Sequence, residues 1–422
     1  MSDTPLSTNP YKGVRDFYPE DMAIQEYIFD IWRKTAESFG FVHYEASVLE
    51  PANLYKAKGA ENEEMVNEQT YTFTDRGDRE VTLRPEMTPT VARMIAGRHR
   101  TLTFPVRWYS IPNLFRYERM QRGRLREHWQ LNCDLFGSDD YTADIELITL
   151  AHTLVRNFGA GDDLFEIRIN DRAEMREKFA VLGITDTSTQ DAITRLNDRF
   201  HKISADEYRS ELAKLVTEPD TVEAVYTLVS GGNTTDTNAV VTGLRELGIT
   251  NVKIDRSIAR GFNYYTGTIF EIFDISGENN RSMLGGGRYD NLTALFGDEA
   301  VSGIGFGMGD VTMRDFLTTH NLLPQLISAT YLTIIPTEAK FNLAGQQLAH
   351  QLRQKGISVV TDIGTRKLGK KIADANTRGS AYVLILGEDE IQSSQYTIKR
   401  LEDGTESTGP FDTLLAHLIT VV

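Results

Sequence analysis

Residues 115–137 read FRYERMQRGRLREHWQLNCDLFG, and this stretch decides the fold. Its two ends alternate polar and apolar side chains, as half-buried strands do, around a tip rich in arginine and glycine. Arg116 and Glu118 stand two apart and therefore share one strand face, as do Gln130 and Asp134 on the next strand. With residues 119–127 as the tip and 119 opposite 127, Arg116 faces Gln130 and Glu118 faces His128. That register gathers Arg, Glu, Gln, Asp and His on one face of a sheet. A stable domain has little reason to bury such a set unless a polar ligand completes it. Residues 107–126 hold six arginines and one glutamate, a run that in isolation reads equally well as a solvated face.

A second stretch, RGFNYYTGTIFE from Arg260 to Glu271, sets a planar guanidinium and two tyrosine hydroxyls before a β-branched, aromatic strand pattern. Gly261 and Gly267 let the chain pass close to a ligand. By itself this could be a polar hairpin.

Between these stretches the pattern is mixed. Ile24, Ile28, Ile31 and Trp32 form one helical stripe in residues 21–39. YTFTDRGDREVTLRPE, from Tyr71, predicts two strands around the turn Asp75-Arg76-Gly77-Asp78. Helices are expected at 88–97 and 141–157, and a strand broken near Pro112 at 106–118. Residues 170–250 read as a helical insertion, after which strand patterns return at 264–275 and 281–284, ahead of the run Gly285-Gly286-Gly287. From residue 330 the strands YLTIIP, GISVVTD and AYVLILG alternate with helices at 338–355 and 367–378, a βαβαβ arrangement. The expectation is an α+β protein, with an antiparallel sheet and flanking helices in 1–169 and 251–325, an insertion at 170–250, and a C-terminal α/β domain at 330–422.

A chain of 422 residues exceeds one ordinary core, which agrees with that division. Its 40% hydrophobic and 25% charged content is that of a soluble globular protein. No apolar run approaches the roughly 20 residues of a membrane span. The opening MSDTPLSTNPYKG lacks a signal-peptide core, and Cys133 is the sole cysteine, so neither a disulfide nor a thiolate zinc cluster is expected. A cytoplasmic protein is the expectation. A net charge of −15 argues against a general nucleic-acid coat. Residues 330–422 carry ten basic and ten acidic groups, so the excess acid lies in 1–329 and a local basic surface can still meet RNA.

Several segments together resemble a known family. FRYER…GRLRE resembles motif 2 of class II aminoacyl-tRNA synthetases. GVRDFYPEDM (13–22), LRPEMT (83–88), RGFNYYTGTIFE, LGGGRYDNL (284–292) and TRKLGKKIADANTRGSAYVLILGEDE (365–390) are similar, in order, to segments of histidyl-tRNA synthetases. The resemblance implies a class II catalytic sheet, an anticodon-binding domain, and a homodimer with the N-terminal motif 1 region at its interface. It implies L-histidine, ATP with Mg²⁺, and histidine tRNA as ligands. Arg116 and Arg260 would be catalytic, neutralising the α-phosphate. Glu86, Met87, Thr88, Arg116, Gln130, Asp134, Arg260, Tyr264 and Tyr265 would line the histidine site. Arg116, Glu118, Arg124 and His128 would hold ATP. Gln121, Arg122, Arg126, Arg366, Lys367 and Lys370, with Lys371 and Arg378 on the same helix, would meet tRNA.

The pattern is broken in places. Thr312 occupies the position of the motif 3 arginine within GIGFGMGDVTMRDFL (303–317), and Arg314 lies about 200° around a helix from the required direction. A γ-phosphate contact must then come from another arginine, or Arg260 and metal ions carry more of the charge. Asp134 replaces a common glutamate, Asn263 an aspartate, His128 a phenylalanine and Met87 a glycine. A non-catalytic paralogue, the regulatory subunit of ATP-phosphoribosyltransferase, shares the resemblance but usually lacks the anticodon-binding domain.

Overall fold

The computed structural model describes residues 6–57, 68–231, 238–259, 264–279, 281–297, 299–324 and 330–419. The chain divides into two compact units, Met1–Leu323 and Pro324–Val422.

The first unit is built on one large sheet and a small one. In chain order its strands are β1 (Val42–His43), β2 (Leu49–Pro51), β3 (Tyr71–Thr74), β4 (Glu80–Leu83), β5 (Val106–Ser110), β6 (Asn113–Phe115), β7 (Glu127–Phe136), β8 (Phe165–Asp171), β9 (Val252–Ile254), β10 (Thr268–Asp274), β11 (Ser282–Arg288) and β12 (Gly303–Gly309). The large sheet runs β1-β5-β7-β12-β11-β10-β8-β9, with β6 also paired to β7. All its pairings are antiparallel except β1 with β5 and β8 with β9. The small sheet is β2-β4-β3.

Strand β12 shows why the sheet has two unlike faces. Its sequence GIGFGMG sends Ile304, Phe306 and Met308 to one side and only hydrogen to the other. The apolar side joins Leu131, Cys133 and Leu135 of β7, Ile167 and Ile169 of β8, and Phe270 and Ile272 of β10 in the main core. Helices close over this face, among them Pro19–Ser38, Thr142–Asn157 and Asp310–Thr319, the last burying Met313, Phe316 and Leu317. Pro19–Ser38 begins with proline, whose missing N–H is no loss in a first turn, and buries Ile28, Trp32 and Ala36 four residues apart. Thr142–Asn157 buries Leu147, Ile148, Ala151, Leu154 and Val155. The glycine run 285–287, expected to follow a short strand, lies inside β11.

Asp310, fully buried just past β12, ties distant parts of the unit together. Its carboxylate accepts from Arg15 Nη2 at 2.6 Å, Gln25 Nε2 at 3.0 Å and the Trp129 backbone N–H at 3.0 Å.

The helical stretch is not uniform. Helices Arg172–Val181, Thr187–Asn197, Ala205–Leu212 and Pro219–Val229 enclose a separate core around Phe179, Ile193, Tyr208 and Val225. The last helix, Ala239–Glu246, puts Val240, Val241 and Leu244 into the main core instead.

The second unit contains β13 (Leu332–Pro336), β14 (Val359–Thr361), β15 (Tyr382–Leu386), β16 (Tyr396–Arg400) and β17 (Glu406–Gly409), in the order β14-β13-β15-β16-β17. The first three are parallel, as the βαβαβ pattern predicts, and the last two add an antiparallel edge that the sequence reading did not place.

Phe306→Ala should lower the unfolding free energy by about 3–5 kcal/mol, the usual cost of a deleted core aromatic. A urea melt of the full chain checks this, and an unchanged midpoint would place Phe306 outside the core.

Candidate active site

On the face opposite the main core, β12 offers Gly303, Gly305, Gly307 and Gly309, and β11 sets Gly285 and Gly287 beside Gly307 and Gly305. The space is needed. A Cβ on Gly305 would fall 2.2 Å from Asp134 Oδ1 and 2.6 Å from the Tyr289 hydroxyl, and one on Gly307 would fall 2.6 Å from Gln130 Cδ. A cleft of about 1390 Å³ opens over this floor, and its walls include Arg116, Glu118, Arg124, His128, Gln130 and Arg281.

The hairpin wall differs in register from the sequence expectation. Phe115 faces Glu127, and the Arg116 N–H donates to the Arg126 carbonyl at 2.9 Å, so Arg116 does not lie opposite Gln130. Two features move it. The tip is a tight turn closed by the Gln121–Arg124 bridge, with Gly123 at φ +76°, and the Tyr117 N–H bonds the Gln69 carbonyl at 2.7 Å instead of β7. The slip is four residues, from 130 to 126. An even slip keeps every side chain on its face, so the expected set still assembles.

Arg116 anchors its Nε on the Pro85 carbonyl at 2.8 Å, and among the described residues its terminal nitrogens form no ion pair. Glu118 is buried, with its Oε2 3.1 Å from Arg124 Nε, close enough for an ion pair though not aligned as a hydrogen bond. Loss of solvent pushes the His128 imidazole down to about 3, and the charges of Arg116 and Arg15 push the same way. His128 is therefore a neutral ring at physiological pH, suited to stacking. Gln121, Arg122 and Arg124 also line the cleft, whereas Arg126 is occupied at the N-terminal segment. Its guanidinium lies 3.8 Å from the Tyr117 ring centroid, and its Nη1 donates to the Tyr11 hydroxyl at 3.2 Å.

The remaining expected histidine-site residues form a packed layer. Asp134 shares the β7 face with Gln130 and accepts a short hydrogen bond from the Tyr289 hydroxyl. Tyr289 packs edge-on against Tyr264, 5.9 Å between centroids, and the Tyr264 hydroxyl donates to Glu86 Oε2 at 3.1 Å. Tyr265 lies 4.8 Å from Tyr264, ring to ring, and Met87 is buried in the same apolar cluster. Thr88 is half-buried at the head of helix Thr88–Arg98. Arg260, with Gly261, Phe262 and Asn263, lies outside the described residues.

Two residues, one in the packed layer and one in the cleft wall, escaped the sequence reading. Tyr289 was visible only as part of a glycine-rich segment, yet it is the sole described side chain that hydrogen-bonds Asp134. Arg281 sits just before β11 with no motif to mark it.

In the second unit the basic helix Leu368–Thr377 is heavily compensated. Arg366 and Lys370 pair with Asp374, and Arg366 and Arg378 with Asp362. Lys371 is buried and donates to the Pro336 carbonyl at 3.1 Å, which removes it from any surface contact and corrects the expectation that it faces RNA. Lys367 precedes the helix and is exposed.

Asp134 is the electrostatic centre of the packed layer. Removal from water raises its carboxyl to about 7, against the opposing hydrogen bond from Tyr289. Its Oδ2 is buried with no hydrogen-bond partner among the described residues. A raised native pKa means the folded chain holds a proton that the unfolded chain releases near pH 4, so this contribution to stability is lost as pH rises towards 7. Asp134→Asn should flatten that fall, by up to a few kcal/mol between pH 5 and 7.5. Denaturant melts of the two proteins across that range check it, and parallel curves would reject the assignment.

A family model described as "Histidyl-tRNA synthetase" matches residues 13–310, and one described as "Anticodon binding domain" matches 332–420. The chain is 40% identical to the histidine–tRNA ligase of Leptospira biflexa, covering 99% of each chain. It is 37% identical to that of Thermoplasma volcanium, covering 94% of each. Among solved structures, the histidyl-tRNA synthetase of Nostoc sp. superposes with a TM-score of 0.80 at 24% identity, covering 99% of this chain and 100% of the other. A Bacillus halodurans protein titled as an ATP phosphoribosyltransferase regulatory subunit/histidyl-tRNA synthetase superposes at 0.72 and 21% identity, covering 91% and 99%. Both likenesses establish the class II synthetase fold. Matched along nearly its whole length by model and by relatives, the chain belongs to the histidyl-tRNA synthetase family.

Proposed function

We propose that this protein is a histidine–tRNA ligase, joining L-histidine to ATP and then to the 3′ end of its tRNA. The observation that carries the reading is the buried Asp134 Oδ2 beside Tyr289, over a floor that glycine keeps open. Neutral imidazole has one donor and one acceptor nitrogen. Asp134 can accept its N–H, and a tyrosine hydroxyl from the Tyr264–Tyr265 pair can donate to the other nitrogen. A side chain lacking these groups would leave the site's polar atoms unpaired, a penalty on the order of 10⁴–10⁵ in selectivity.

In the first step the histidine carboxylate attacks the α-phosphorus, and pyrophosphate leaves. Arg116, which lines the cleft with its Nε fixed by the Pro85 carbonyl, is preorganised for the oxyanions. Arg260 would add the second cation at the same phosphate. Glu86 would hold the α-amino group with Thr88, and His128 would stack on adenine while Glu118 accepts from its amino group. Arg124, now on Glu118, would exchange that partner for phosphate.

Among the described residues no cluster of three metal-ligating side chains occurs. Glu271 lines the cleft and could offer a carboxylate to Mg²⁺ arriving with the nucleotide, an ion that keeps several waters and needs only one or two carboxylates besides phosphate oxygens. The ion would supply charge neutralisation on the outer phosphates.

In the second step a terminal ribose hydroxyl of tRNA attacks the activated carbonyl. Gln121, Arg122 and Arg126 on the hairpin, and Arg366, Lys367 and Lys370 in the second unit, are the proposed tRNA contacts. We further propose a cytoplasmic homodimer, by analogy with the family. Among the described residues no helix is long and apolar enough to cross a membrane. The regulatory-subunit paralogue is the weaker reading, because the anticodon-binding match spans 332–420 and the similar ligases are covered end to end.

Purified protein should catalyse histidine-dependent ATP–pyrophosphate exchange and charge histidine tRNA. Neither activity in the wild type would end this reading. Arg116→Ala and Arg260→Ala should each lower exchange kcat by about 10²–10³-fold, the cost of one preorganised charge donor. Full exchange in either variant would remove that residue from its role.

A further inference from the structure

Arg281 points to a function that the motifs do not assign. It is half-buried in the cleft wall at the head of β11, and among the described residues it forms no hydrogen bond or ion pair. Partial removal from water, and then the charge of Arg124, press its guanidinium towards the neutral form, opposed by Glu118. Three guanidinium groups, Arg116, Arg124 and Arg281, thus line the cleft with the buried carboxylate of Glu118, while a second buried carboxylate, Asp274, is taken up by Asn279 and His320. A half-buried arginine next to another arginine is a position that an arriving anion would stabilise.

Its neighbours indicate which anion. A Cβ placed on Gly123, at the hairpin tip, would lie 3.2 Å from Arg281 Cδ and 3.6 Å from Thr312 Cγ2. Arg281 therefore reaches the same tip as Thr312. The Thr312 hydroxyl is meanwhile spent on the Met283 and Gly309 carbonyls, both at 3.1 Å, and cannot serve a phosphate. Arg314 of the helix Asp310–Thr319 is paired with Asp21, and the guanidinium missing at position 312 has a counterpart just before β11, two residues from the Met283 carbonyl that Thr312 bonds.

We propose that Arg281 binds the outer phosphates of the nucleotide, and the pyrophosphate that leaves, in place of an arginine at Thr312. This rests on the ligase reading for the identity of the anion, and the test is chosen so that the two can fail separately. Isothermal calorimetry on the full-length protein with ATP, inorganic pyrophosphate and AMP needs no turnover. Arg281→Gln should weaken ATP and pyrophosphate about 10–100-fold, the scale of one charge-assisted contact, and leave AMP within twofold, because AMP has only the α-phosphate. Arg281→Gln with Thr312→Arg should recover at least part of the pyrophosphate affinity, a rescue that a purely structural role would not give.

Unchanged pyrophosphate affinity in Arg281→Gln would overturn the proposal. So would an equal loss for AMP and ATP, which would signal general damage. A defect confined to tRNA charging, with ATP and pyrophosphate binding intact, would assign Arg281 to the RNA backbone and overturn it too. If the wild type binds these anions but shows no exchange, the ligase reading fails while the phosphate site stands.

Discussion

The site depends on one constraint, that β12 must be bulky on one face and bare on the other. Ile304, Phe306 and Met308 help to bind the sheet to its helices, and the four intervening glycines leave nothing above the sheet. Asp134 and Gln130 of the neighbouring strand can then lean over β12, where a Cβ at Gly305 or Gly307 would collide with them. Core and cleft are thus two sides of a single seven-residue alternation, and neither can be altered without regard to the other.

Charge is arranged on that floor with the same economy. The chain is strongly acidic, yet the motif 2 wall of the cleft concentrates arginine around one buried glutamate. In the tyrosine-lined layer the opposite holds: among the described residues no cation pairs with Asp134, which sits among phenolic rings with its carboxyl raised to about 7 by burial. One region awaits anions, and the other awaits a ligand that can both give and take a hydrogen bond.

Much of this was legible in the amino-acid order. Period-two alternation located β3, β4 and β7, and helical stripes located Pro19–Ser38 and Thr142–Asn157. The grouping of Arg116, Glu118, His128 and Gln130 on one wall followed from strand parity, which survived a four-residue error in register. The register itself was not legible, because Tyr117 leaves β7 to bond Gln69, a partner remote in sequence. The glycine run of β11 misled for a related reason. Glycine is a poor strand former in isolation, and only a neighbour needing its space explains it there. Arg281 and Tyr289 were missed because their roles come from tertiary neighbours, the cleft wall for one and Asp134 for the other, not from local spacing. The exposed look of Lys371 in the sequence was wrong because two backbone carbonyls draw it inside.

Asp310 carries a consequence for timing. The carboxylate that receives the Trp129 N–H at the base of the hairpin belongs to a residue 181 positions later, and it also holds Arg15, 295 positions earlier. Contacts of such long sequence separation form late in folding, since loop closure must come before they can stabilise anything. A chain emerging from the ribosome therefore lacks this anchor until most of the first unit has been made. A half-synthesised protein would carry the arginines of the hairpin without the anion that fixes their base, so its cleft would be completed near the end of the unit's synthesis.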